Sequence, residues 1–94
     1  MPANGQIMND LKERVISVIC QVASSSRQEL LAVNRFTNLS QWDSLNHLNV
    51  LVALEREFNV QFGLEEATEL TSLDNALRLV ATKIGLIEPT SPGS

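Results

Sequence analysis

Apolar residues recur at helical spacing in three stretches of this chain. Leu11, Val15, Val18, Ile19 and Val22 stand at i, i+4, i+7, i+8 and i+11, laying one stripe along a helix of about Ile7 to Ala23. Leu73, Leu77, Val80, Ala81 and Ile84 repeat the spacing near the other end. Thr71 or Ser72 can cap the start of that last helix, and Gly85 can close it in the left-handed conformation. The middle stretch, about Ser44 to Phe58, carries two stripes. His47, Val50, Leu51, Leu54 and Phe58 form the expected core side. Leu45, Leu48 and Val52 form a second stripe, roughly 100° further round the helix. A helix with one buried face needs only the first. The second must either meet another short helix or face outward to a ligand or partner. Asn49 and Arg56 beside it argue that part of it meets water.

A further short helix fits Leu64 to Glu69. Ser24 to Trp42 is a long connection for a compact domain, but Leu30, Leu31, Val33, Phe36 and Leu39 give it surface to pack onto the bundle. Ser26-Arg-Gln-Glu29 matches a capping box and predicts one helical turn at about Gln28 to Ala32. Asn59 to Phe62 is the only strand candidate, and it is too short to pair alone. The pattern predicts an all-α fold: a small bundle of three main helices and one short helix, with a long loop between helices I and II. Residues 1–6 are expected to be flexible and 7–87 to form the domain. Residues 88–94, with two prolines, a glycine and no apolar side chain, are expected to be disordered.

Composition narrows the classes. Ninety-four residues, 44% of them apolar, allow a genuine core but not a deep catalytic cleft. The longest apolar run, Val50 to Leu54, falls far short of the ~20 residues of a membrane-spanning helix. The first six residues lack a basic stretch leading into an apolar core, so neither membrane insertion nor a secretory leader is expected. One cysteine, Cys20, excludes an internal disulfide or a multi-cysteine metal site and suits a reducing, cytoplasmic setting. It lies off its helix's apolar stripe, so partial exposure and ordinary thiol reactivity are expected. No His, Cys and Asp cluster has metal-ligand spacing.

The net charge of −4 has the wrong sign for binding nucleic acid. The charge is also uneven. Asp43, Glu55, Glu57, Glu65, Glu66 and Glu69 face a single base, Arg56, between 43 and 69, whereas the remainder holds five acidic and six basic residues. Such a stretch suits a basic docking partner, or is simply a solvated acidic face. Nothing in the pattern demands more than a monomer.

The informative tripeptide is Asp43-Ser44-Leu45. Asp43 is a good N-cap, and Ser44 then falls at the first helical position, where a phosphate ester would meet unpaired N–H donors and the positive end of the helix dipole. The rival start, Ser40, would put Ser44 one turn inside the helix. His47 lies one turn beyond Ser44, but a nucleophilic pair needs an orienting third group and oxyanion donors, and there is no Gly-x-Ser-x-Gly elbow. Hydrolase chemistry is not expected, and His47 is expected to pack at the core margin.

The run from Asp43 through Leu54-Glu-Arg-Glu-Phe58, with Phe62 beyond it, resembles the second helix of acyl carrier proteins, and the likeness extends from about Ile7 to Leu86. The resemblance implies that Ser44 accepts 4′-phosphopantetheine from coenzyme A through a phosphopantetheinyl transferase, with Asp43 helping to place that enzyme's metal ion and the serine hydroxyl. It implies a carrier and not an enzyme, holding acyl groups as thioesters and docking acyl-loading and acyl-processing enzymes with basic patches. Leu45, Leu48, Asn49, Val52, Arg56, Glu65 and Glu66 would meet those partners. Leu54, Phe62 and Leu77, with Leu48 and Val52, would line an acyl pocket, unless they are ordinary core. Asn46, Asn49 and Arg56 replace acids common in the primary fatty-acid carriers, Gln41 replaces a common glycine, and Trp42 stands where small residues are frequent. These departures point to a discrete carrier for a specialised fatty-acid, polyketide or secondary-metabolite pathway. An aminoacyl or aryl (peptidyl-type) carrier and a plain helical interaction module without a prosthetic group are the alternatives.

Overall fold

A computed structural model describes residues 4–39 and 42–86. Five α-helices follow in order: α1 (Asn4–Ala23), α2 (Arg27–Ala32), α3 (Ser44–Phe58), α4 (Leu64–Glu69) and α5 (Leu73–Lys83), with a single 3-10 turn at Phe36–Asn38 between α2 and α3. The fold is all-α, with α1, α3 and α5 as its main helices. No strand occurs among the described residues. The α1 helix begins three residues before the expected start and so takes in residues 4–6. Residues 1–3 and the tail expected to be disordered (88–94) lie outside the described residues.

The local signals act as the sequence indicates. Ser26 Oγ accepts from the Glu29 N–H at 3.0 Å and starts α2. Ser72, not Thr71, caps α5, its Oγ accepting from the Asn75 N–H at 3.1 Å. Gly85 closes α5 at φ +81°, where a side chain would be strained. At the end of α3, Asn59 takes the left-handed conformation at φ +55°. Glu55 Oε2 then accepts the Phe62 N–H at 2.9 Å, folding 59–62 back along the helix.

Helix α1 packs most extensively on α3, and also on α5 and α2. Val15, Ile19, Leu30, Phe36, Val50, Leu54, Leu70 and Val80 are the largest wholly buried side chains. Ile16, Ala76 and Leu79 are buried too, so the core faces of α1 and α5 are wider than the expected stripes. Two expected packing residues face solvent instead: Leu31 on α2 and Ile84 at the end of α5. Each sits at the margin of a short or ending helix that has no further layer outside it. The 24–42 connection is pinned by Leu30, Phe36 and Leu39, which are buried, and by the Phe36 N–H donating to the Thr71 carbonyl at 2.9 Å. That bond ties it to the α4–α5 junction. No helix among the described residues is long and apolar enough to cross a membrane.

Candidate functional site

The candidate site is the head of α3. Asp43 is extended (φ −146°, ψ −178°), which lets its Oδ1 accept the Asn46 N–H at 2.8 Å while its carbonyl accepts the His47 N–H at 3.0 Å. The helix therefore starts at Ser44, and Ser40 lies outside the described residues. Ser44 occupies the first helical position and is exposed. Its N–H and that of Leu45 have no partner among the described residues, which places two donors beside the hydroxyl. An anionic ester on Oγ would sit in the favourable field of a fifteen-residue helix. The residues present therefore fit a phosphodiester at this serine.

Two aromatic side chains hold the approach to it. Trp42 packs on the buried Phe36 ring with centroids 4.9 Å apart and planes at 31°. It meets His47 edge-on at 6.1 Å and 82°. His47 is half-buried, and its Nε2 lies 2.9 Å from the Ala67 carbonyl oxygen. A carbonyl only accepts, so Nε2 carries the proton and Nδ1 of the neutral ring is an acceptor. That bond ties the head of α3 to α4, which the sequence alone did not reveal. Together Thr37, Trp42, Asp43, Ser44 and His47 line an open cleft of about 370 Å³.

The second stripe of α3 is uncovered. Leu45 is 63% and Leu48 54% exposed, and Val52 is exposed as well. Neither short helix buries them. Leu48, Asn49, Val52 and Arg56 border a shallow cleft shared with Val18, Gln21 and Val22 of α1. Arg56 is exposed and has no ion pair among the described residues.

The acidic stretch is partly spent inside the fold. Glu57 pairs with Arg14 at 2.8 Å, and that guanidinium also lies 4.7 Å over the Phe58 ring. Glu66 accepts the Gly63 N–H at 2.7 Å and pairs with Lys83 at 2.9 Å. Burial raises the Glu66 carboxyl, but the Gly63 bond and Lys83 outweigh it and leave its pKa below the ordinary value. Glu65 and Glu69 are exposed and have no ion pair among the described residues. Of the residues expected around an acyl pocket, Leu54 is wholly buried, while Phe62 and Leu77 pack half-buried against the core. Cys20 is half-buried, and burial pushes its thiol pKa up. No group of three or more His, Cys, Asp and Glu that could hold a metal occurs among the described residues.

No protein-family model matches the chain. It is 25% identical over 75 residues to an acyl carrier protein of Cyanidium caldarium, a match covering 80% of this chain and 87% of that protein. The likeness is distant but runs over most of both chains, and it falls on an all-α bundle with an exposed serine heading α3.

Proposed function

We propose that this chain is an acyl carrier protein, modified with 4′-phosphopantetheine at Ser44. The observation that carries the reading is the exposed hydroxyl at the first position of α3, at the positive end of a fifteen-residue helix. In the loading step Ser44 Oγ bonds to the phosphorus of coenzyme A that bears the pantetheine. The hydroxyl gives up its proton, the pyrophosphate P–O bond breaks, and adenosine 3′,5′-bisphosphate leaves. Asp43 fixes the start of the helix and keeps its second carboxylate oxygen for the transferase's metal ion. When bound, the arm supplies a terminal thiol that holds acyl groups as thioesters. The bundle positions Ser44 and offers docking surface, while partner enzymes perform the chemistry.

Leu45, Leu48, Asn49, Val52 and Arg56 form the docking face, and the exposed carboxylates of Glu65 and Glu69 on α4 add charge for basic partners. Glu66 contributes by starting α4, since its carboxylate is committed to Gly63 and Lys83. An acyl chain reaching Leu54 between Phe62 and Leu77 requires the helices to part. A docking helix carrying Asn46, Asn49 and Arg56 suits a specialised fatty-acid, polyketide or secondary-metabolite pathway.

Incubation with coenzyme A and a broad-specificity phosphopantetheinyl transferase, followed by intact mass, tests the reading. The wild type is expected to gain one phosphopantetheinyl group and Ser44→Ala none. A wild type that gains nothing favours a plain helical interaction module.

A further inference from the structure

The cleft beside Ser44 has a chemistry that the carrier reading does not use. One wall is the indole of Trp42, held from behind by the buried Phe36 ring. Another is the imidazole of His47, whose orientation is fixed by the bond to the Ala67 carbonyl and which is left with one acceptor nitrogen. Thr37 adds an exposed hydroxyl with no hydrogen-bond partner among the described residues. Asp43 and Ser44 complete the lining. The cleft is therefore half aromatic and half polar, and it opens at the atom to which a tether would be joined.

We infer that this cleft is a seat for the proximal part of the phosphopantetheine arm, with its geminal dimethyl group on the Trp42 indole. The inference rests on the carrier reading of Ser44. The dimethyl carbon follows directly on the methylene ester of the phosphate, so a tether on Ser44 Oγ brings it to the cleft without spanning any distance. Its methyl groups match the indole face, which gains by covering apolar surface. The adjoining hydroxyl and amide N–H are donors, and His47 and Thr37, which line the same cleft, each carry an acceptor atom. The thiol end is too far along the arm to enter and stays free for partners. Seating thus fixes the root of the arm while its tip swings. It gives Trp42 a role that packing on Phe36 alone does not require.

The protein has a single tryptophan, which makes the seat directly observable. Protein loaded with coenzyme A carrying isotope-labelled pantetheine is compared with free coenzyme A by NMR, after intact mass has confirmed loading. The two methyl resonances of the arm are expected to move upfield under the indole ring current and to show cross-relaxation to the indole protons. Trp42→Leu is expected to lose both effects at an unchanged mass gain. Methyl resonances at their free positions on fully loaded wild type overturn the inference. So does cross-relaxation to Leu45 or Leu48 in place of the indole, or an upfield shift that survives Trp42→Leu. The wild-type spectra decide the matter alone if Trp42→Leu does not fold. A protein that takes up no arm loses this inference together with the reading beneath it, and the mass measurement separates that outcome from a loaded but unseated arm.

Discussion

Replacing Asp43 separates two things its carboxylate does. In the fold, Oδ1 accepts the Asn46 N–H at 2.8 Å, satisfying a donor that has no carbonyl partner within the helix. Asp43→Ala removes that bond, at about 1 kcal/mol for a lost N-cap, and also removes an anion from the positive end of α3, at about 0.3–1 kcal/mol. The site is exposed, so a combined loss near the middle of these ranges, about 1.5 kcal/mol, is the reasonable figure. Each kcal/mol moves the midpoint of a domain this size by about 4–8 °C, so Asp43→Ala is expected to lower Tm by roughly 6–12 °C. Asp43→Asn keeps an acceptor in the same place and loses only the charge, about 0.5 kcal/mol, and is expected to lower Tm by roughly 2–4 °C. Thermal unfolding followed by far-ultraviolet circular dichroism, with urea midpoints as a second measure, reads the difference. Equal losses for the two variants, or none for Asp43→Ala, refute the capping argument. On the carrier reading, Asp43→Asn also slows loading by the transferase far more than its small stability loss explains.

Leu54→Ala empties a wholly buried site and is expected to cost about 2–5 kcal/mol, whereas Leu45→Ala, 63% exposed, is expected to stay within about 0.5 kcal/mol of wild type; denaturant midpoints check both. Glu66→Gln tests the α4 contact through pH. The folded Glu66 carboxyl is held below its ordinary value, so its contribution is complete above the unfolded value and is lost as pH falls through the lowered folded one. The stability gap between wild type and Glu66→Gln is therefore expected at neutral pH and closes on acidification, as followed by Tm across an acid series; a gap that widens in acid contradicts the assignment.

The three long helices were legible because each repeats apolar residues at 3.6-residue spacing, and α3 runs over the very residues its stripe covers. Caps were legible where a short polar side chain preceded the stripe, as at Ser26, Asp43 and Ser72. What the pattern hid depends on contacts distant in sequence. Packing of Phe36 was expected, but the 3-10 turn at Phe36–Asn38 also depends on a backbone bond to Thr71, which no local periodicity announces. The bond from His47 to the Ala67 carbonyl joins residues twenty apart. Counting charge along the chain also overstates the free acid, because Glu57 finds Arg14 on α1 and Glu66 finds Lys83 on α5. At the candidate site, Ser44 and Asp43 were readable from the tripeptide. Thr37 and Trp42 as cleft walls were not, since the loop that brings Thr37 to Ser44 carries no motif.

One hydroxyl, at the head of α3, is the proposed attachment point for a prosthetic arm. Cleavage after Arg35 and Arg56 yields a tryptic peptide of residues 36–56, which contains Thr37, Ser40 and Ser44. Fragment mass spectrometry of that peptide, after treatment of the protein with coenzyme A and transferase, reads the position directly. The added phosphopantetheinyl mass is expected on every fragment that includes Ser44 and on none that excludes it. A bare peptide, or the mass placed on Ser40 or Thr37, contradicts it.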